Sequence, residues 1–543
     1  MCKKDNLLIS LVVIFALLFV MFSSVSLKST NASFSFSIKQ SFDTNYSFNG
    51  EQWDQVDYVI ITRSSLIPSL SDFIDWQIDK GHTVEIKTIS WIEETYDGQD
   101  IQMKVRMFLR DSYHSYNHTL QYVLLIGNNE DIPQREIAID KGYGHPYSDF
   151  YYAELTDTDE RSWDSDADGK YGELDDSYDL ENEIMVGRIP FSDPLLVSRV
   201  LENTIEFEGN NNSFYKKHML LMGAFLWNTT DTAQLMESIR SNPNLDTWTA
   251  TTLYEKNDDY WSSNDCDYSL TKENVITAWN QNDAAFVNWA GHGTPISTHI
   301  LGNDNASFIS SFEISRFDTV KPSVIFANAC NNANPFAENN LCYTFMKHNA
   351  VGFIGPSTLS QSKYEWQHEN DGASQSFNFY FSDRFLSGSL NLGESFYFAL
   401  KKMNDQGLWY DPFFETNTWG TLYGIPDLSI TAVGTYPQLQ FKELIDGYGL
   451  SVNIKNDGIV SAENITFDVT ITGGKYVKIL PFETSYDMVL PGEMILLDLP
   501  IIGFGFGFFS DQPILTVTVH ADDITPISTS MKLNILGPFV SLI

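Results

Sequence analysis

Two side chains in this sequence have both the type and the setting for nucleophilic chemistry. The apolar run Ala284-Ala-Phe-Val-Asn-Trp289 has strand length, ends in Ala-Gly and delivers His292 between two glycines. Further on, Val324-Ile-Phe326 ends in Ala-Asn-Ala and delivers Cys330. In an open parallel sheet the functional crevice lies just beyond the carboxyl ends of the strands. Two neighbouring strands ending this way put an imidazole beside a thiol, which is what a thiol nucleophile and its base require. A neighbouring imidazole lowers a thiol pKa from about 8.5 to roughly 3.5–7.5, and the thiolate is the attacking species. Gly293 has no side chain, so its N–H can approach a substrate carbonyl closely. With the Cys330 N–H it would form an oxyanion hole, in which losing one donor costs about 3 kcal/mol of barrier. Either residue alone reads as structural, a strand-end histidine or an inert buried thiol. The pair reverses that reading.

A second constellation is acidic. In Asp164-Ser-Asp-Ala-Asp-Gly-Lys170 the residues Asp164, Asp166 and Asp168 fall at the first, third and fifth positions of a calcium loop. Gly169 falls at its sharp turn, Lys170 would offer a carbonyl, and Asp175 takes the last ligand position. That last position is usually Glu and no helix pair flanks the segment, so the expectation is an EF-like loop holding structural calcium. The competing reading is a solvated acidic turn. No catalytic metal is expected, because the ten histidines form no His-Glu-x-x-His pairing. A Gly-x-Ser-x-Gly turn for a serine hydrolase is absent as well.

Elements able to position these residues alternate along the chain. Strand-like runs at 56–62, 83–89 and 120–127 are separated by helical patterns near 70–80 and 101–116. After Arg188 the alternation resumes: a helix near 195–207, strands at 218–223 and 248–254, then the two runs that end in His292 and Cys330. A helix near 343–348 and the run 350–355 follow. Such alternation argues βαβ units and parallel sheet. The expectation is an α/β fold of two side-by-side doubly wound subdomains, 56–190 and 191–433, with the dyad in the second. From about Tyr436 the pattern turns to period-two strands between Gly, Asn and Asp turns, which predicts an all-β sandwich over 436–543.

The composition fits an exported protein. Lys3 and Lys4 precede an apolar run over 7–22 and a small-residue stretch ending at Ser26, the layout of a signal peptide. Retained, the same run would serve as an N-terminal anchor, and 27–55 reads as a linker or short pro-segment. The surface is acidic, with 33 Lys and Arg against 71 Asp and Glu, a net charge of −38. Such a surface repels nucleic acid, so no nucleic-acid partner is expected. Beyond the signal there remain Cys266, Cys330 and Cys342, an odd number that leaves at least one thiol unpaired and the pairing open. Glycosylation sequons begin at Asn31, Asn45, Asn117, Asn211, Asn228, Asn305 and Asn464.

The motifs Asn-Trp-Ala-Gly-His292-Gly-Thr and Phe-Ala-Asn-Ala-Cys330-Asn-Asn resemble the gingipain family, within the caspase–gingipain clan of cysteine peptidases. The resemblance runs from about Val56 to about Val433. It implies caspase-like subdomains, a peptidase acting on protein or peptide substrates, Cys330 as nucleophile and His292 as base. In Asn-Glu183-Ile-Met-Val-Gly-Arg188 it implies that Glu183 orients the histidine, although by itself Glu183 equally reads as a surface charge at a strand start. Gly-Pro-Ser357-Thr-Leu-Ser-Gln361-Ser-Lys363-Tyr-Glu-Trp366 resembles the family segment lining the pocket before the scissile bond. Lys363 stands where gingipains tend to carry Trp, which puts the family's substrate preference in doubt here. Gly424-Ile-Pro-Asp departs from the family's Gly-Asp-Pro near the end of the domain. The C-terminal module resembles the immunoglobulin-like domains of exported proteins and implies support or cell-surface tethering. The rival reading is a non-catalytic, calcium-stabilised surface adhesion protein on a peptidase scaffold. Retention of both Cys330 and His292 argues against it.

Overall fold

The computed structural model describes residues 56–542 apart from 117, 140–141, 143, 156–161, 211, 318–320, 433–438, 457–460, 483, 491–492, 506–511 and 523–525. The expected signal segment, the linker and the junction near 433–438 lie outside the described residues.

The first half supplies strands β1 (Tyr58–Thr62), β2 (Val84–Thr88), β3 (Tyr122–Ile126) and β4 (Met185–Ile189). The second supplies β5 (His218–Gly223), β6 (Thr249–Tyr254), β7 (Tyr268–Ser269), β8 (Phe286–Ala290), β9 (Ser323–Asn328), β10 (Ala350–Ile354) and β11 (Leu422–Gly424). The two expected halves share one eleven-stranded sheet, in the order β7-β6-β5-β8-β9-β10-β11-β4-β3-β1-β2. β1, β3, β8, β9 and β10 are buried along their whole length, as strands covered by helices on both faces must be, which is why they are continuous apolar runs. One hydrophobic core runs through both halves.

All neighbours in this sheet are parallel except β10 and β11, which pair antiparallel from Gly352↔Gly424 to Ile354↔Leu422. β11 then pairs parallel with β4. The halves therefore run in opposite directions, and the carboxyl edge of the second coincides with the amino edge of the first. Glycine makes this seam possible. A Cβ on Gly187 would lie 2.4 Å from the Gly424 carbonyl oxygen. Gly424 itself adopts φ +121°, a conformation that side chains disfavour.

The C-terminal unit comprises β12 (Leu439–Asn456), β13 (Ala462–Thr472), β14 (Lys475–Ile479), β15 (Ser485–Val489), β16 (Met494–Leu499), β17 (Ile501–Gly505), β18 (Ile514–His520), β19 (Ile527–Gly537) and β20 (Phe539–Leu542). These strands form two antiparallel sheets, β15-β13-β18-β19 and β14-β17-β19-β20-β12-β16. β19 belongs to both: residues 527–532 pair with β18 and 533–537 with β17 and β20. Alternate residues such as Val452, Leu497, Phe467 and Val517 enter one separate core between the sheets. This is the predicted sandwich.

Candidate active site

Strands β8 and β9 are neighbours, paired from Phe286↔Val324 to Ala290↔Asn328, so their carboxyl ends leave the sheet side by side. The Gly291 N–H carries the pairing one residue further, donating to the Asn328 carbonyl at 3.2 Å. The chain then turns into a hairpin of His292–Thr294 against Ser297–His299. Gly293 rests on the backbone of Cys330: a Cβ there would fall 2.2 Å from the Cys330 carbonyl oxygen and 2.6 Å from its nitrogen. Only glycine fits. The segments carrying the imidazole and the thiol thus touch. Buried Asn332 ties them together: its Oδ1 accepts from Trp289 Nε1 at 3.1 Å and Thr298 Oγ1 at 2.9 Å, and its Nδ2 donates to the Thr294 carbonyl at 2.8 Å.

His292 is half-buried, and its Nε2 donates to the Leu226 carbonyl at 3.0 Å. A carbonyl can only accept, so Nε2 carries the proton and Nδ1 is the basic nitrogen. Burial lowers the imidazole pKa, while the Leu226 carbonyl and the charge of Glu255 pull it back up. Glu255 is fully buried just past β6. Its Oε2 accepts the N–H groups of Phe225 at 2.8 Å and Leu301 at 3.2 Å, and its Oε1 accepts the Gly302 N–H at 2.7 Å. It therefore holds the turn that presents the Leu226 carbonyl.

Cys330 is half-buried, with its Sγ donating to the Ser360 carbonyl at 3.6 Å. Burial pushes the thiol pKa up, the Ser360 backbone offsets part of this, and the charge of Glu415 adds to the rise. Among the described residues no hydrogen bond joins His292 to Cys330; each is held by a backbone carbonyl. Catalytic hydrogen bonds are often loose before substrate arrives.

Glu183 does not join this group. It precedes β4, four strand spacings from β8 across β9, β10 and β11, or about 19 Å. Its carboxylate accepts the Leu155 N–H. The seam brings Glu183 to the correct edge of the sheet but four strands away from β8, and the Leu226 carbonyl stands against His292. Among the pocket residues, Ser357 is buried as a strut, its Oγ accepting the Tyr147 N–H at 3.2 Å and donating to the Thr418 carbonyl at 3.1 Å. Trp366 is core, its Nε1 donating to Ser376 Oγ at 3.0 Å. Gln361 lies in the wall beside the thiol, its N–H donating to Glu415 Oε1 at 3.2 Å. The Lys363 backbone is clamped by Gln375 at 2.9 and 3.0 Å, and its ammonium sits 5.7 Å from the Tyr410 ring centroid. Exposed Tyr364 and Trp227, with ring centroids 5.9 Å apart, close the wall against the turn that holds Leu226.

At the acidic loop, oxygens of Asp164, Asp166 and Asp168 lie within 4.8 Å of one another, and Asp164 is buried. Asp175 is exposed and outside this cluster. Its neighbour Asp176 braces the loop instead, accepting the N–H groups of Ser165 at 2.6 Å and Glu173 at 2.8 Å. Lys170 turns its ammonium to Asp168. Cys266, Cys330 and Cys342, whose pairing the odd count left open, are all free thiols.

The profile of peptidase family C25 matches residues 51–424, well over half of the chain. The chain belongs to peptidase family C25. Among curated relatives, gingipain R2 of Porphyromonas gingivalis is 28% identical over 100 residues, which are 18% of this chain and 13% of the relative. Gingipain R1 of the same organism matches at 28% over 100 residues, 10% of its length. The matched stretch is thus a small part of these longer proteins. The C25 fold is recovered in the crystal structure of the Arg-specific cysteine proteinase gingipain R, with TM-score 0.54 and 16% identity over 90% of this chain and all (100%) of that one. A complex of its pro- and mature domains gives TM-score 0.53 and 16% identity, over 88% of this chain and 99% of that one.

Three residues of this candidate site escaped sequence reasoning. Leu226 acts through a backbone carbonyl, which has no sequence signature. Asn332 carried a signal only as a polar residue next to the thiol loop. Glu255 was findable: it is a carboxylate at the carboxyl end of a strand, the same position that marks His292 and Cys330.

Proposed function

We propose that this protein is an exported cysteine endopeptidase that hydrolyses peptide bonds through Cys330 and His292. The observation that carries the reading is the seating of Gly293 on the Cys330 backbone, which brings the imidazole and thiol segments together at the shared edge of the sheet. Nδ1 of His292 takes the thiol proton as sulfur attacks the scissile carbonyl carbon. The Cys330 and Gly293 N–H groups would receive the oxyanion. The C–N bond breaks as the imidazolium returns its proton to the leaving amine, leaving a thioester. Water, deprotonated by His292, then attacks the thioester and releases the carboxylate product and the thiol. Leu226 keeps the imidazole in the tautomer this sequence needs, a role that carboxylates fill in other triads.

Export is supported by the lysine-led apolar segment at 7–22. No helix among the described residues is long and apolar enough to cross a membrane. Calcium is supported at Asp164, Asp166 and Asp168, whose oxygens converge with one carboxylate buried; there it would brace the loop and take no part in the chemistry.

A peptidyl acyloxymethylketone probe with mass-spectrometric mapping tests the peptidase reading. Labelling confined to Cys330 and abolished by His292→Ala is expected. Absence of Cys330 labelling in the folded protein sinks the reading. Millimolar calcium should raise the unfolding temperature of the wild type and leave Asp164→Asn unchanged; equal shifts in both would remove the ion from this loop.

A further inference from the structure

The Pro412–Trp419 helix carries Glu415 into the protein directly behind the thiol. Glu415 is 0% exposed. Its Oε1 accepts the Gln361 N–H at 3.2 Å, and among the described residues its Oε2 has no hydrogen-bond partner. The peptide group that joins Ser360 to Gln361 is therefore engaged at both ends. Its carbonyl faces Cys330 Sγ at 3.6 Å, and its N–H meets Glu415. One planar peptide separates a buried carboxyl from the sulfur. The Trp419 indole pins the same segment from the far end of the helix, donating to Ser360 Oγ at 3.0 Å.

We propose that Glu415 is a positioning residue of the Cys330 centre: it holds the Ser360–Gln361 peptide against the sulfur, and its own proton governs how readily the thiol ionises. The proposal rests on Cys330 being the nucleophile.

A buried carboxyl with one oxygen unpartnered is costly to ionise. Burial lifts Glu415 to about 8, and Asp411 at the cap of its helix adds to the rise; the Gln361 N–H and the polar groups of Trp419 and Ser360 nearby pull the other way. The groups facing this carboxyl are thus Asp411 on its own helix, the uncharged Ser360–Gln361 wall and the Cys330 thiol. Below pH 8 the wall is neutral and the thiolate forms against burial alone. Above it, a carboxylate sits behind the sulfur and opposes the second negative charge. Two groups coupled in this way titrate as a pair. The structure thereby couples the thiol to an acid that the hydrolysis scheme does not use, and assigns the site a working range on the acid side of that acid's ionisation.

Glu415→Gln keeps the volume and the acceptor for the Gln361 N–H but removes the charge. Alkylation of Cys330 by iodoacetamide, followed by mass spectrometry from pH 6 to 10 on the full chain, reads thiolate formation directly. Wild type and Glu415→Gln should match at pH 6, and the variant should react about three- to tenfold faster at pH 9. In the wild type alone, the profile should bend near pH 8 instead of following one titration. Superimposable profiles, or a wild-type profile with a single titration, overturn the proposal. A merely structural Glu415 would move neither. Failure of the peptidase reading is seen separately, as absence of Cys330 labelling by the peptidyl probe at any pH.

Discussion

The carboxyl ends of β1, β3 and β4 and those of β5, β6, β8 and β9 are equivalent places in the two halves of one sheet, and they are filled differently. In the first half Thr62 Oγ1 donates to the Ile126 carbonyl at 2.9 Å, Arg63 pairs with Asp131 at 3.3 Å, and the Asn128 N–H donates to Ser192 Oγ at 3.0 Å. Each strand end is spent on holding its neighbour. In the second half the same places present the Leu226 carbonyl, Glu255, His292 and Cys330, and the last two have no side-chain partner among the described residues. Buried charge follows the same division. In the first half Arg188 donates twice to Asp149 at 2.6 Å, and Lys80 reaches across to Glu208 of the second half at 3.0 Å. The same parallel-sheet edge thus serves as frame on one side and as workshop on the other, because a strand end can either satisfy its own edge or leave a group free to react.

Breaking the frame should cost stability, and altering the reactive half should cost turnover. The largest effect is expected at Arg188, which is 1% exposed between Asp149 and the Ile132 carbonyl. Arg188→Met leaves a buried carboxylate unpaired and should lower the unfolding free energy by about 3–5 kcal/mol, measured by denaturant titration. A loss below 1 kcal/mol would mean that this pair is not what holds the frame. Next comes His82, which hydrogen-bonds Asp57 at 2.8 Å and lies 3.3 Å from Asp427. Burial would lower its pKa, but hydrogen bonds and charge from Asp427 and Asp57 outweigh this and lift it to about 9. A group raised on folding stabilises fully below its unfolded value near 6.5 and loses that contribution as pH climbs to about 9. Unfolding free energy should therefore fall by about 3 kcal/mol across that window. His82→Gln should flatten the slope; an unchanged slope would assign the pH dependence elsewhere. The smallest effect tests the reactive half. Glu255→Gln weakens the hold on the Phe225–Leu226 turn and should lower kcat/KM about tenfold with little change in KM, a loss of about 1.4 kcal/mol of transition-state stabilisation. Unaltered kinetics would show that the Leu226 carbonyl needs no such brace.

The parts of this molecule legible in its sequence are those set by local pattern. β8 and β9 are continuous apolar runs ending in small residues, so their place in a buried parallel sheet and the delivery of His292 and Cys330 beyond it followed from hydropathy alone. The sandwich followed from period-two strands in the same way. What could not be read was set by chain-distant pairing. β11 is a three-residue strand with no periodicity of its own, and without it the joining of the halves and the distance from Glu183 to His292 are undetermined. Trp366 and Ser357 lie in the correct segment, but the side of it that faces the crevice depends on where Thr418 and Ser376 pack. At the acidic loop Asp175 stays outside the carboxylate cluster while Asp176 accepts two backbone N–H groups, a difference of one residue that the spacing alone does not reveal.

The seam has a consequence for how the molecule comes into being. β11 lies in the middle of the sheet but is almost the last piece of the α/β unit to leave the ribosome. Until Leu422–Gly424 is available, β10 and β4 each offer an unpaired edge, and open edges invite pairing with other chains. The contacts of β11 with β4 bridge more than half of the unit's length, a topology that folds slowly. The Pro412–Trp419 helix, with Glu415, is translated just before that strand. The wall behind the thiol and the closure of the sheet are therefore completed together, so a chain interrupted short of this point would have the proposed nucleophile and base but no finished cleft in which to use them.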